Sequence, residues 1–498
     1  MASHYKLLIN GRWVETDEEV AIRSPYDGRV IGRVCWAGER EMERAIVSAA
    51  AAFEKTRRLA AYERSAMLLK IVRGLEEARR ELVKTIVGEA GKPIIYAEGE
   101  VERCILTFTI AAEEAKRLGG EVIPLDITPT ASGRTGITAR FPLGPIAAIT
   151  PFNFPLNLVA HKVAPALAAG NTVIVRPACQ TPISSLILGR LCTEAGFPKG
   201  AVNVVPSSVE VARKLVTDER IKKITFTGSD AVGWGLKASC GKKKITLELG
   251  GNAAVIVHSD SDLDFAARRI AIGSFAYAGQ VCISVQRIYV EERVYPLFKR
   301  RFLKAIRDDV RVGDPRERTT VVGPIIDSSS ADRIMEWIRE AKRGGARVLC
   351  GGKRKGNVIE PTVLTNVDPR MKISCREAFG PVVTLAPYGD FREALKHAND
   401  SVYGLQAGVF TRDVDRIHAA FRELDVGGVI INDYPTFRVD NMPYGGVKNS
   451  GLGREGVTYA IQEMTEPKLL VLNLSGAGRA SPGNCSRLRS QAPTSAEY

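Results

Sequence analysis

The sequence predicts an α/β fold with two successive α/β units. Three observations carry this. From residue 145 onward, the runs 146–149, 172–175, 202–205, 224–227 and 245–247 are short and apolar, and helical patterns separate them; a parallel sheet with crossover helices reads this way. Past Gly251 the alternation starts afresh with an apolar run at 253–257. The chain's 498 residues also exceed what one core ordinarily organises, so two or three domains are expected.

In chain order, residues 5–35 alternate apolar and polar around Asn10-Gly11 and Asp27-Gly28, predicting short antiparallel strands. Three amphipathic helices follow, at 42–57, 62–89 and 98–118, the second stopped by Gly91-Lys92-Pro93 and the third by Gly119-Gly120. Arg103 sits about 200° around the third helix from Val101, away from its apolar stripe. In the second half, helices are expected at 261–277, 294–307, 328–343, 391–399 and 414–424, with strands at 346–349, 428–431 and 468–473. Residues 434–453 are loop-like, and 475–498, rich in Ser, Arg, Gly and Pro without periodicity, are expected to be a disordered tail.

Composition excludes several classes. With 45% hydrophobic and 25% charged residues the chain is a globular one. No apolar run is long enough to span a membrane, and the N-terminus lacks the pattern of a secretory signal. The nine cysteines are odd in number and scattered without C-x-x-C, which argues against a disulfide framework and a zinc site and for a reducing cytoplasm. The five histidines show no metal-ligand spacing, so no metal is expected. The net charge of +14 is spread along the chain in short runs without interleaved aromatics, so nucleic acid is not the expected partner.

Ligands of parallel sheets bind at the carboxyl ends of the strands. Three motifs fall there: Thr150-Pro151-Phe152-Asn153-Phe154-Pro155, Arg176-Pro177 with Cys179, and Gly228-Ser229 with Gly233. The G-x-G-x-x-G fingerprint is absent, but a helix opened by Gly228-Ser229 can hold a pyrophosphate at its N-terminus; Ser229 can equally be a plain helix cap. Leu247–Asn252, LELGGN, puts the carboxylate of Glu248 at a strand end beside Leu249 and two glycines, and 275–282, FAYAGQVC, puts Cys282 behind a small, flexible Gly279-Gln280. A thiol nucleophile with a carboxylate base is the equipment of covalent catalysis. A cysteine hydrolase would need a histidine beside the thiol, and no motif places one there.

These motifs, in this order, resemble the aldehyde dehydrogenase superfamily over about residues 5–473, with matches at Asn153, Lys162, Gly228, Ser229, Gly233, Glu248, Gly251, Cys282, Glu377 and Phe379. The resemblance implies a Rossmann-like NAD(P)-binding domain (1–119 and 141–248), an α/β catalytic domain (249–455), and a small bridging β-sheet (120–140 and 456–474) that pairs subunits into a homodimer or homotetramer. It implies Cys282 as nucleophile, Glu248 as the base that activates a hydrolytic water, Asn153 with the Cys282 N–H as oxyanion hole, and Lys162 along the cofactor. Thr150, Pro151, Phe152, Arg176, Cys179, Gly228, Ser229, Gly233, Leu249, Glu377 and Phe379 are the implied cofactor residues, for NADP or NAD. Where the family often has Lys-Pro-x-Glu, this chain has Arg176-Pro-Ala-Cys179; the missing carboxylate and the guanidinium permit the extra phosphate of NADP. Arg103 and Arg438, with a polar His161, suit a short anionic aldehyde of the lactaldehyde, glyceraldehyde-3-phosphate or semialdehyde type. On the residues alone, Arg103 can instead pair with Glu100 on its helix, and Arg438 can be a solvated loop residue.

Overall fold

The computed structural model describes residues 3–473, so the tail expected at 475–498 lies outside the described residues. The chain divides into two compact units, one of Met1–Arg117 with Pro142–Thr465, the other of Leu118–Phe141 with the segment from Glu466.

The first unit holds two large sheets. One has eight strands in the order Gly451–Leu452, Lys244–Glu248, Lys223–Thr227, Pro145–Ile149, Thr172–Arg176, Val202–Val204, Leu7–Ile9 and Arg12–Val14. The strands from Lys244–Glu248 through Val202–Val204 run parallel, and their continuous apolar burial is what helices on both faces require. Parallel register brings Ile149, Arg176, Thr227 and Glu248 to one edge. The other sheet orders Arg347–Cys350, Thr362–Thr365, Val382–Tyr388, Val285–Glu291, Ala253–Val257, Gln406–Phe410 and Gly428–Ile431, parallel except for its first pair.

Two local expectations change. The helix expected over 62–89 is two, Ala61–Glu77 and Arg79–Ala90, with Ala78 at φ −82°, ψ 3° between them; each half buries its own stripe, Leu68, Ile71 and Leu75, then Leu82, Ile86 and Ala90. The N-terminal strands are not all antiparallel. Ser3–Tyr5 pairs parallel with Val30–Cys35 because the chain leaves it directly for Leu7–Ile9 in the large sheet. The helix Ile94–Glu114 starts after Pro93, where a missing N–H costs nothing, and buries Ala97, Val101, Cys104, Phe108 and Ala111.

In the second unit, Val122–Pro124, Arg134–Pro142 and Thr465–Asn473 form a three-stranded sheet with Arg134–Pro142 in the middle. Leu469, Leu470, Val471 and Leu472 on its last strand are 37–54% exposed. No helix among the described residues is long and apolar enough to cross a membrane.

Candidate active site

A cleft of about 790 Å³ collects Cys282, Glu248, Asn153, Arg103, Arg438 and Tyr444 in one wall system, with Phe152, Gly228, Ser229, Glu377 and Phe379 along it. That size is ordinary for a small-molecule site.

Cys282 reaches the cleft on a strained, tightly held segment. The helix Leu263–Phe275 ends, and Tyr277 and Ala278 take left-handed backbone (φ 52° and 54°), an uncommon conformation for residues with a Cβ that the surroundings must enforce. The Gly279-Gln280 expected to be flexible is instead pinned. Gln280 is 1% exposed; its amide nitrogen donates to the Pro324 carbonyl (3.1 Å) and its amide oxygen accepts from Ile326 N–H (2.9 Å). The Gln280 carbonyl accepts from Asn153 Nδ2 at 3.0 Å, so the expected oxyanion donor is oriented by the loop that carries the thiol. Gly251 explains the spacing to the LELGG motif: an ideal Cβ there would stand 2.1 Å from the Cys282 carbonyl oxygen, so only glycine lets the two segments touch. Burial pushes the Cys282 thiol up to about 12, against a hydrogen bond with Tyr444 Oη at 3.0 Å that lowers it.

Glu248 is 3% exposed, and neither carboxylate oxygen has a hydrogen-bond partner. Burial first, then the neighbouring Glu455, raise it well above the carboxylate range. Two buried carboxyls close together do not both ionise readily, and Glu455 wins the charge: Lys162 and Arg438 hold it down to about 2 despite burial.

Behind the wall runs a chain of charges. Arg103 grips Asp440 with Nη2 (2.6 Å) and Nε (3.3 Å), not Glu100, which pairs with the fully buried Lys92 and accepts Leu156 and Asn157 N–H at 2.9 and 3.1 Å. Asp440 also meets His161 Nε2 at 2.8 Å, while His161 Nδ1 meets Arg438 Nη2 at 3.1 Å. Because arginine can only donate, Nδ1 accepts and the proton sits on Nε2, facing Asp440. Burial and Arg438 lower the His161 pKa and keep it neutral, whereas His161 and Arg103 hold Asp440 well below its usual range despite burial. Arg438 Nη2 also reaches Glu455 (3.2 Å), its Cζ lies 3.6 Å from the Tyr444 ring centroid, and its Nε is buried without a partner. Lys162 donates to Glu455 (2.6 Å) and Thr227 Oγ1 (2.7 Å). Thus Arg103 and Arg438 line the cleft, whereas His161 and Lys162, 2% and 0% exposed, stand behind it.

The remaining expected residues lie at the edge of the eight-stranded sheet or, for Glu377 and Phe379, just before the strand Val382–Tyr388. Thr150 N–H donates to the Arg176 carbonyl at 3.2 Å, and Arg176 Nη2 reaches Cys179 Sγ (3.1 Å) and the Ser207 carbonyl (2.9 Å). Ser229 occupies the N-cap of the helix Asp230–Ser239 without a side-chain cap bond. A Cβ at Gly233 would meet Leu249 at 2.4 Å. Glu377 accepts Gly251 N–H at 3.0 Å and is lifted by burial to about 7; Phe379 (φ 48°) packs edge-on against Phe152 at 5.8 Å. Among the described residues, the trio His4, Glu19 and Cys35 brings metal-ligating atoms within 4.8 Å of one another, but it does not line this cleft.

Residues 13–470 match the model of the aldehyde dehydrogenase family. The chain belongs to this family. This aldehyde dehydrogenase is 45% identical to the 3-sulfolactaldehyde dehydrogenase of Priestia aryabhattai over 471 residues, 94% of this chain and 98% of that one. Aldehyde dehydrogenase 21 from Physcomitrella patens, crystallised with the reaction product succinate, is 45% identical with a TM-score of 0.93, covering 95% of this chain and 99% of that one. A glyceraldehyde-3-phosphate dehydrogenase from Methanocaldococcus jannaschii complexed with NADP is 38% identical, with a TM-score of 0.88 over 92% and 100% of the two chains. Sequence reasoning did not single out Tyr444, Asp440 or Glu455 in this aldehyde dehydrogenase. The only available signal was a lone acid in an otherwise uncharged Val439–Tyr444 stretch.

Proposed function

We propose that this enzyme oxidises a short aldehyde bearing a carboxylate, sulfonate or phosphate to the carboxylic acid, with NADP or NAD as hydride acceptor. One observation carries the substrate class: the charge balance among the groups paired with Asp440 and Glu455 behind the cleft wall. Arg103, Arg438 and Lys162 bring three cations against two ionised carboxylates, Asp440 and Glu455, while His161 is neutral and Glu248 is driven toward its protonated form. One positive charge is left over in a desolvated wall, where it favours an anion. Arg103 Nη1 makes no hydrogen bond among the described residues, and Arg438 Nε is likewise unused. The three relatives described above are named for, or hold, small anionic compounds.

In this reading Cys282 attacks the aldehyde carbon. Asn153, one amide hydrogen fixed on the Gln280 carbonyl, offers the other to the developing oxyanion together with the Cys282 N–H, each donor contributing roughly 10² to 10³ in rate. NAD(P), when bound, supplies the hydride acceptor. Glu248 in its ionised form takes a proton from the water that hydrolyses the resulting thioester. Lys162, paired with Glu455 and Thr227, fixes the charge that raises Glu248. The residues fit a dinucleotide. The helix Asp230–Ser239 opens with its cap bond unmade, Gly233 is kept free of a side chain by Leu249, and Arg176 Nε and Ser207 Oγ are buried without partners. Glu377 would hold the nicotinamide ribose. A cytoplasmic homodimer or homotetramer completes the proposal.

The test is a kcat/KM panel of sulfonated, phosphorylated and carboxylated short aldehydes against propanal and hexanal. Arg103→Ala and Arg438→Ala should each raise KM for the anionic aldehyde tenfold or more, about 1.4 kcal/mol, with KM for propanal little affected. Wild type turning over hexanal better than every anionic aldehyde would reject the reading. For the cofactor, Arg176→Ala should raise KM for NADP more than for NAD, because a guanidinium recognises a phosphate where a carboxylate would repel it; equal effects on both would remove the phosphate role.

A further inference from the structure

We infer that Tyr444 is a catalytic residue, its phenol O–H donating a hydrogen bond to the Cys282 sulfur as that sulfur becomes a thiolate. The inference rests on the reading of Cys282 as nucleophile. Its geometric basis is a three-part stack: Cys282 Sγ 3.0 Å from Tyr444 Oη, the Arg438 guanidinium 3.6 Å from the Tyr444 ring centroid, and Arg438 held in place by Glu455 and His161. Tyr444 itself is 3% exposed, and the backbone N–H to Glu455 carbonyl bond (3.0 Å) and its reciprocal (2.7 Å) fix its position.

The need for such a donor follows from the surroundings. The thiol is half-buried on the cleft wall, and the ionisable groups that act on it are Glu377 and Glu248, which disfavour its anion, and Arg438 and Tyr444, which favour it. Of the favourable pair, only Tyr444 is within hydrogen-bond reach of the sulfur. Burial also holds the phenol's own pKa well above its usual value, so it remains a donor. A cation on the ring face draws electron density from the ring, and bonds to an ionised acceptor are the stronger ones. In the step itself, the proton leaves Sγ for solvent water as the thiolate forms. The electron pair left on sulfur forms the new C–S bond, the carbonyl π pair moves to oxygen, and Tyr444 keeps its proton throughout. Arg438 then has two roles, one toward a substrate anion and one on the ring that supports the nucleophile.

The experiment is the pH profile of iodoacetamide alkylation at Cys282 in the cofactor-free enzyme, followed by mass spectrometry of the Cys282 peptide, with the pre-steady-state burst of reduced cofactor measured in parallel. Tyr444→Phe keeps the ring and its stacking on Arg438. It should move the alkylation midpoint up by about one pH unit and slow the burst about tenfold, leaving KM for cofactor within twofold. Replacing Tyr444 by 3-fluorotyrosine, a more acidic phenol, should move the midpoint down. A midpoint unchanged in Tyr444→Phe, or raised by 3-fluorotyrosine, overturns the role of Tyr444. Turnover retained in Cys282→Ala would instead overturn the nucleophile assignment itself, so the two failures are distinguishable.

Discussion

Cys282→Ala should reduce aldehyde oxidation to background while NADP or NAD still binds with near wild-type affinity. Among the described residues, the alanine removes the sulfur that lines the cleft beside Asn153 and Glu248; Cys375, also on the cleft wall, sits just before Arg376-Glu377 in the chain and bonds to the Arg370 carbonyl. Loss of a covalent nucleophile removes the whole route, because base and oxyanion donors act as a unit with it. The fold should tolerate the change, since Gln280 and the Tyr277–Ala278 turn anchor the segment without help from the thiol. Cofactor titration by fluorescence alongside steady-state rates checks both halves. Substantial steady-state turnover would exclude a thiol mechanism.

Glu248→Gln should behave differently. In the proposed route acylation precedes the hydrolysis assigned to Glu248, so one equivalent of reduced cofactor should appear in a burst, followed by a steady state slowed roughly 10²- to 10⁴-fold. The pH dependence has a definite sign. Burial and Glu455 raise the Glu248 pKa, and only the ionised form is a base. Wild-type deacylation should therefore climb as pH rises toward the raised Glu248 pKa, above the ordinary carboxylate range, whereas the Gln variant should stay low and flat. Stability runs the other way: a carboxyl whose folded pKa is raised supports the fold below its unfolded value and loses that support as pH rises toward the folded one. At pH 8 the Gln variant should melt no lower than wild type. A lower Tm there, or a variant without a burst, would contradict the assignment.

The parts of the site legible in the sequence are those that sit at strand ends. Glu248, Asn153 and Arg176 follow short apolar runs, and parallel register alone brings such ends together. The charge chain was not legible because its pairs are remote in sequence: Arg103 with Asp440, His161 with Arg438, Lys162 with Glu455. No local period encodes a contact across hundreds of residues. Strands escaped for a related reason. Val285–Glu291 contains Gln286 and Arg287, polar residues that read as exposed but are buried on carbonyls of Ile373, Arg376, Asn252 and Ala398. Val382–Tyr388 carries Pro387, which argues against a strand interior. The split of 62–89 into two helices leaves no sequence mark, since alanine at 78 is the best of helix formers.

The small sheet has a consequence for handling the protein at low concentration. Its last strand, Thr465–Asn473, lies at the sheet's edge and exposes four aliphatic residues in succession. Such an edge is a template for another chain's backbone. If a second copy covers it, the melting temperature becomes a function of enzyme concentration, and a sample diluted to nanomolar for assay is less durable than the same sample at micromolar. Activity then decays on standing in dilute solution at a rate that added fresh protein, rather than added cofactor, arrests.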